Sequence, residues 1–195
     1  MTSTSYTPDE DIGLLIDAME LYADKEGVPE VKLVVTGAGP LKQLFLAKFK
    51  EFNQTKGRGK VTIEAKWLEI DDYPKMVASA DLGVCMHMSS SNLDLPMKVV
   101  DMFSCQLPCF AYDYPTIGEL VKTKENPNGA VFKTSKQLFE LMVSHLGTER
   151  GLKNLDIYSK NLKVFTTETW EEHWKEVMLF QKSKGCLFGE NMIKK

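Results

Sequence analysis

The sequence predicts an α/β fold with a Rossmann-like, mostly parallel sheet and helices on both faces. Short β-branched and apolar runs alternate with longer segments of helical periodicity, and glycine or proline residues separate them. A chain of 195 residues, 43% hydrophobic and 26% charged, can bury a sizeable core in one domain. We therefore interpret residues 1–182 as one domain and expect residues 183–195 to form a polar, mobile tail.

Six short segments have the length and composition of strands. They are Met1–Tyr6, Val31–Thr36, Val61–Ala65, Ala80–His87, Cys109–Tyr112 and Gly129–Phe132. Loops that leave the carboxyl ends of parallel strands are where open α/β sheets bind their ligands. The residues that follow these strands are therefore the first candidates for a functional site.

Helical periodicity predicts the elements between the strands. The first helix follows Thr7, with Pro8 at its first position and Glu10 closing a capping box. Its apolar stripe recurs at helical spacing: Ile12, Leu15, Ile16, Met19 and Tyr22. Further helices are predicted over residues 41–52, 135–145 (capped by Ser135), 152–164 and 168–181, with a break between Gly147 and Gly151.

Charge and cysteine content exclude several classes of function. The net charge is −3 and no basic run occurs, so a nucleic-acid partner is not expected. The four cysteines lack metal-ligand spacing, and we expect buried thiols in a reducing compartment: Cys85, Cys105, Cys109 and Cys186. No apolar run approaches the ~18 residues of a transmembrane helix and no signal peptide is recognisable, so this chain is expected to be soluble.

A glycine turn follows the second predicted strand. Gly37-Ala-Gly39 lies between a β-branched run and a helix, where it would let backbone approach a phosphate. Any tight strand-to-helix turn also favours glycine, so ligand contact and a purely conformational role both stay open. His87 presents a similar choice at the end of the fourth strand, between a ligand contact and a locally bonded histidine.

The segment that follows His87 has the most informative pattern. It opens with three hydroxyl side chains that can donate hydrogen bonds, Ser89, Ser90 and Ser91. A helix start follows, with Asp94 as the predicted N-cap and Pro96 at the first helical position. Helical spacing then predicts one buried face: Met97, Val100, Phe103 and Ser104.

Lys98 and Asp101 lie three residues apart on the opposite face of this predicted helix. A helix N-terminus carries a partial positive charge and unpaired N–H groups, which suit a phosphate. One interpretation gives Lys98 the phosphate oxygens and Asp101 the sugar hydroxyls of a single ligand. The other is a surface ion pair, which contributes about a few tenths of a kcal/mol.

The run Asp94–Phe103, after Ser-Ser-Ser and before Leu-Pro, resembles the nucleotide-sugar signature of GT-B glycosyltransferases. The run Ser5–Ile12 resembles the start of the second domain of mannosyltransferases in this group, and the likeness extends from about Ser3 to Gln181. The resemblance implies the donor-binding, C-terminal half of a GT-B fold. It further implies an enzyme that transfers mannose from GDP-mannose to dolichol-diphosphate-linked chitobiose in N-glycan precursor assembly, with inversion at the anomeric carbon.

The resemblance also implies roles for individual residues. Gly39, the Ser89–Ser91 loop and Lys98 would stabilise the donor diphosphate, Asp101 would hold the ribose, and Asp94 would help to position the mannose. The full donor-binding set is Gly37, Gly39, His87, Ser89, Ser90, Ser91, Asp94, Lys98 and Asp101. No catalytic base is assigned, and neither a metal nor a cofactor is expected besides the GDP-mannose donor.

The sequence departs from the pattern of the group in two respects. Relatives commonly carry two acids eight residues apart, whereas Asp94 and Asp101 lie seven apart, and Asp101 replaces the more common glutamate. Many relatives also place a basic residue near the start of this domain to hold the diphosphate, and here none occurs before Lys25. The diphosphate therefore needs another cationic partner.

By the same resemblance, the enzyme would act at the cytosolic face of the endoplasmic reticulum membrane. The lipid-linked acceptor would bind a domain absent from this chain, so the isolated chain is expected to be inactive; association with other glycosyltransferases is a further expectation. The alternatives are a non-catalytic nucleotide-sugar-binding module or truncated partner of a full-length transferase, half of a sugar-nucleotide epimerase, and a flavodoxin-like module.

Overall fold

The computed structural model describes residues 1–88, 91, 93–163 and 174–175. Its strands are β1 Thr2–Thr4, β2 Val31–Gly37, β3 Val61–Lys66, β4 Gly83–Cys85, β5 Cys109–Tyr112 and β6 Gly129–Phe132. Its helices are α1 Ile12–Asp24, α2 Lys42–Thr55, α3 Tyr73–Ser79, α4 Met97–Ser104, α5 Ser135–Leu146 and α6 Glu149–Asn161, with a 3-10 helix at Ile117–Glu119. Apart from residues 174 and 175, the predicted last helix over 168–181 and the predicted tail over 183–195 lie outside the described residues.

All six strands run parallel. β1, β2 and β3 pair in that order, as do β4, β5 and β6. β1 joins β4 through backbone hydrogen bonds from Val84 N to Met1 O, at 2.8 Å, and from Met1 N to Leu82 O, at 2.5 Å. The strand order is therefore β3-β2-β1-β4-β5-β6, the doubly wound order whose ligand crevice lies where the order reverses, between β1 and β4. The predicted fold class is confirmed.

Apolar side chains pack against both faces of these strands. One core layer joins α1, α2 and α5 to the strands and contains the fully buried Tyr22 and Phe110. The other joins α3 and α4 to the strands and contains Val77 and Phe103. Burial of each such side chain contributes about 1.5–3 kcal/mol. Within the described part of the chain, no helix is long and apolar enough to cross a membrane.

The start of α1 differs from the predicted capping box. The N-cap is Asp11, whose carboxylate accepts a hydrogen bond from Leu14 N at 3.0 Å. Glu10 does not serve the helix because its side chain turns inward and is only 4% exposed. The predicted stripe is otherwise confirmed, since all of its members are buried except the half-buried Ile16.

The buried face predicted for α4 is confirmed for Phe103 and wrong for Met97 and Ser104, because the helix is rotated about its axis relative to the prediction. Val99, Met102 and Phe103 face the sheet, whereas Met97 is 70% exposed and Ser104 is exposed. The N-cap is Pro96 rather than Asp94, and no side chain caps the helix. The extended Pro96 backbone sets where the first turn begins, and this places Val99 toward the sheet.

Smaller differences concern the C-terminal helices and the thiols. α5 is capped by Thr134 rather than Ser135, and α6 begins at Glu149 because the Thr148 side chain accepts a hydrogen bond from Gly151 N. The thiols of Cys85, Cys105 and Cys109 are free, and the first and last of these are buried as expected. Burial raises the pKa of Cys85 to about 11, which keeps this thiol unreactive. Cys186 lies outside the described residues.

Candidate functional site

The sequence-predicted site residues gather where the strand order reverses. The loop Ser5–Asp11 leaves the carboxyl end of β1, and the loop that begins at Met86 leaves the adjacent end of β4. The glycine turn after β2 lies on the other side of β1. Since β1 is the central strand of this edge, its loop contacts both neighbouring loops.

Glu10 is the most deeply buried charged side chain at this edge, with 4% exposure. Its carboxylate accepts hydrogen bonds from the Thr4 hydroxyl, from Ser5 N at 2.7 Å, and from the Lys98 ammonium. Three donors from β1, the following loop and α4 therefore converge on one anion. Sequence analysis missed this role because the local Thr7-to-Glu10 spacing also fits a capping box.

Lys98 reaches from the first turn of α4 to the end of β1. Its ammonium contacts Glu10 and donates to Ser5 Oγ at 3.3 Å, and its side chain is 23% exposed. Burial lowers the pKa of Lys98, and the nearby Asp9 carboxylate opposes that shift. The alternative of a surface Lys98–Asp101 ion pair is wrong, because Lys98 pairs with Glu10 instead. Lys98 thus places an ammonium at the carboxyl end of β1, although it lies far from Lys25 along the chain.

Asp101 lies one turn further along α4 and is half-buried. Its Oδ2 accepts a hydrogen bond from the Tyr73 hydroxyl at 3.2 Å, and that hydroxyl also lies 3.4 Å from Ser3 Oγ. Burial, the largest cause, raises the pKa of Tyr73. The carboxylate therefore sits between α3 and β1, and not on the open helix face that the sequence predicted.

His87 and Asp94 form the second polar pair of the site. His87 Nε2 lies 2.7 Å from Asp94 Oδ2, and Ser91 Oγ donates to Asp94 Oδ1 at 2.9 Å. The Tyr114 hydroxyl donates to the Asp94 backbone oxygen at 2.9 Å, so Asp94 is held from both sides. Asp94 thus organises the loop before α4 instead of capping the helix. Ser89 and Ser90 lie outside the described residues.

The backbone of Glu10 links the Lys98–Glu10 pair to the His87–Asp94 pair. Glu10 forms an antiparallel bridge with His87, and Met88 N donates to Asp9 O at 2.9 Å. The loops after β1 and β4 are therefore joined by main-chain hydrogen bonds as well as by side chains. Glu10 therefore contacts His87 through its backbone and Lys98 through its side chain.

The glycine turn packs directly on the end of β1. A Cβ at Gly37 would lie 1.8 Å from Thr4 O, and one at Gly39 would lie 1.7 Å from Ser5 O. Gly37 also adopts a φ of +136°, a conformation that disfavours other residues. Both glycines are therefore required by close backbone approach, whether or not a ligand contacts them. The turn is held by Leu41 N, which donates to Tyr6 O at 3.0 Å.

Large apolar side chains are exposed along the same edge of the sheet. Trp67 and Ile70 follow β3, and Leu93 and Met97 flank the start of α4. The Lys42 ammonium lies 5.7 Å from the centre of the Trp67 ring, a cation–π contact. Sequence analysis placed Met97 on a buried face and assigned no functional role to the other three residues. No group of three His, Cys, Asp or Glu in the described ranges is placed to hold a metal ion.

Comparison with known protein families identifies the family of this chain. Residues 2–147 match the family described as glycosyl transferases group 1. The chain belongs to this family. The resemblance drawn from the Asp94–Phe103 signature is confirmed, and so is the GT-B fold.

Two curated relatives extend the match beyond the family model. The chain is 42% identical over 175 residues to a chitobiosyldiphosphodolichol beta-mannosyltransferase of Yarrowia lipolytica, covering 89% of this chain and 36% of that protein. It is 40% identical over 188 residues to the Homo sapiens protein of the same name, covering 92% of this chain and 38% of that protein. The chain therefore spans little more than a third of the length of these relatives.

A solved structure supports the fold independently. The Anabaena protein HepE, in complex with UDP-glucose, superimposes with a TM-score of 0.67 at 18% identity, over 94% of this chain and 48% of that one. At this low identity the similarity shows the fold alone.

Proposed function

We propose that this chain is the donor-binding half of a β-mannosyltransferase that transfers mannose from GDP-mannose to dolichol-diphosphate-linked chitobiose. The reaction class follows the name of the relatives at about 40% identity. The observation that carries the proposal is Lys98, a partly buried ammonium placed at the end of β1 where the strand order reverses. Open α/β sheets bind nucleotides at that point.

The leaving group of this reaction is a nucleoside diphosphate. Its departure develops negative charge on phosphate oxygens, and preorganised cations and N–H groups stabilise that charge. Lys98 offers the cation, and the first turn of α4 offers backbone N–H groups because no side chain caps it. The glycine turn after β2 brings further backbone close to Ser5, which Lys98 contacts.

Asp101 and Asp94 serve the two sugars of the donor in this proposal. The Tyr73 hydroxyl orients one oxygen of Asp101, and the other oxygen accepts from the ribose hydroxyls. Asp94 is oriented by His87 and Ser91, and its carboxylate accepts hydrogen bonds from the mannose hydroxyls in this proposal. A neighbouring side chain therefore fixes the orientation of each carboxylate toward the donor.

The acceptor and the cellular setting also belong to this proposal. Lipid-linked chitobiose would bind the part of the enzyme that this chain does not span, at the cytosolic face of the endoplasmic reticulum membrane. The exposed Trp67 and Leu93 would face the cleft between the two halves. Without the acceptor-binding half, the chain would bind the donor without transferring mannose.

Calorimetry with the 195-residue chain tests this proposal. We expect GDP and GDP-mannose to bind, and UDP and UDP-glucose to bind more weakly. Equal or tighter binding of the uridine nucleotides would contradict the donor assignment. If none of the four nucleotides bound, the proposal as a whole would be contradicted. Lys98→Met should weaken GDP much more than guanosine, because its partner is the diphosphate.

A further inference from the structure

The ammonium proposed to bind the diphosphate is paired with a carboxylate of the same chain. Lys98 contacts the carboxylate of Glu10, which is almost fully buried. Glu10 is in turn held by Ser5 N at 2.7 Å and by the Thr4 hydroxyl, and its backbone pairs with His87. The Glu10 carboxylate, held by several hydrogen bonds, therefore lies directly against the flexible side chain of Lys98.

We propose that Glu10 is a positioning residue that sets Lys98 at the end of β1 and, through its own charge, limits the affinity of the site for a nucleoside diphosphate. This inference rests on the proposed function of the edge between β1 and β4. It extends that function because Glu10 is not itself expected to contact the donor. The carboxylate acts through Lys98 and through its charge.

Two physical effects of Glu10 oppose each other. A lysine side chain has four rotatable bonds, and an anchored ammonium loses less conformational freedom when a ligand binds. Anchoring therefore strengthens binding of the diphosphate. The same carboxylate repels the phosphate charge across a partly buried site, where Coulomb interactions are stronger than in water. Repulsion therefore weakens binding and favours release of the diphosphate product.

The geometry separates these effects because most of the Glu10 hydrogen bonds do not need a charge. Ser5 N and the Thr4 hydroxyl donate to one carboxylate oxygen of Glu10, and Lys98 contacts the other. Glutamine can turn its amide oxygen toward Lys98; its NH2 group then takes the other position, where the Thr4 hydroxyl can accept from it and the bond from Ser5 N is lost. Glu10→Gln thus keeps the anchor and removes the repulsion. Glu10→Ala removes both. A residue that only stabilised the fold would weaken binding in both variants.

The experiment measures GDP binding to the full chain by calorimetry. Glu10→Gln is expected to bind GDP about tenfold more tightly, since one like charge near the phosphates is gone. Glu10→Ala is expected to bind more weakly than Glu10→Gln by at least about tenfold, because Lys98 is no longer held. Guanosine, which has no phosphate, should bind the parent and Glu10→Gln equally.

Asp11→Asn is the matched control. It removes a carboxylate from the neighbouring exposed position, and asparagine caps a helix as well as aspartate. We expect its GDP affinity to stay within about twofold of the parent. If Glu10→Gln behaves like this control, or if Glu10→Ala binds as tightly as Glu10→Gln, the proposed role of Glu10 is overturned.

A measurement without nucleotide keeps the inference distinct from the proposed function. The side-chain ammonium resonance of Lys98 should be visible by NMR in the parent, because a held, partly buried ammonium exchanges its protons slowly. It should disappear in Glu10→Ala, and circular dichroism would verify that this variant is folded. A resonance that persists in folded Glu10→Ala would overturn the anchoring. Failure of the parent to bind GDP would instead overturn the proposed function.

Discussion

The contact between Gly39 and the end of β1 gives a prediction whose size follows from the geometry. A Cβ at position 39 would lie 1.7 Å from Ser5 O and 2.7 Å from Ser5 C, where ordinary contact begins at 3.4 Å. The atom it meets is backbone and not the end of a flexible side chain. Gly39→Ala therefore forces a shift of about 1.7 Å (3.4 − 1.7) between the glycine turn and the loop after β1.

We expect Gly39→Ala to lower the free energy of unfolding by about 1–3 kcal/mol or more, the range for overpacking a close contact. Ser5 also holds the Lys98 ammonium at 3.3 Å, so the shift should reach the site. GDP affinity should then fall by about tenfold, equivalent to losing one charge-assisted hydrogen bond. Urea unfolding and calorimetry on the same preparation measure the two effects.

Gly118→Ala is the matched control for this experiment. A Cβ at position 118 meets nothing within 4 Å, and Gly118 has no positive φ. Its free energy of unfolding should rise or stay within about 1 kcal/mol of the parent, and GDP affinity should not change. A urea midpoint of Gly39→Ala equal to that of the parent would contradict the predicted overpacking against Ser5. The link to the site fails if Gly39→Ala is destabilised while GDP binds normally.

Two further predictions concern pairs of residues. Tyr6 and Tyr22 are both fully buried, but only Tyr22 has a hydroxyl partner among the described residues, Pro29 O at 3.2 Å. Tyr6→Phe should therefore be neutral or stabilising by up to about 1 kcal/mol, and Tyr22→Phe destabilising by about 1 kcal/mol, in urea unfolding; equal losses would contradict this. Asp101→Ala should weaken GDP and GDP-mannose by the same factor, roughly ten- to a hundredfold, if Asp101 holds the ribose. If calorimetry shows that Tyr73→Phe weakens GDP and GDP-mannose as much as Asp101→Ala does, the carboxylate acts only through its bond to Tyr73.

The fold class could be predicted because it depends on short-range patterns. β-branched runs such as Val31–Thr36 and apolar spacing such as that of α1 specify element types locally, and alternating elements imply a parallel sheet. The Asp94–Phe103 signature pointed to the correct family for the same reason, since its residues are contiguous. Gly37 and Gly39 indicated a tight turn, but they did not indicate which part of the backbone this turn packs against.

Which face of α4 is buried could not be predicted, because two sets of residues fit helical spacing equally well. Met97, Val100 and Phe103 form one candidate face, and Val99, Met102 and Phe103 form the other. The choice depends on where Pro96 starts the first turn and on where the sheet lies. The spacing of the apolar residues specifies neither the start of the first turn nor the position of the sheet.

The partner of Lys98 was likewise decided by tertiary structure alone. Along the sequence, Lys98 faces Asp101 three residues away, and Glu10 fits a capping box with Thr7. In the fold, β1 and β4 become neighbours, and Lys98 contacts Ser5, 93 positions distant, and Glu10. Local spacing determines which residues can share a helix face. The charge that each one meets depends on strand order, which brings together segments that no short-range pattern connects.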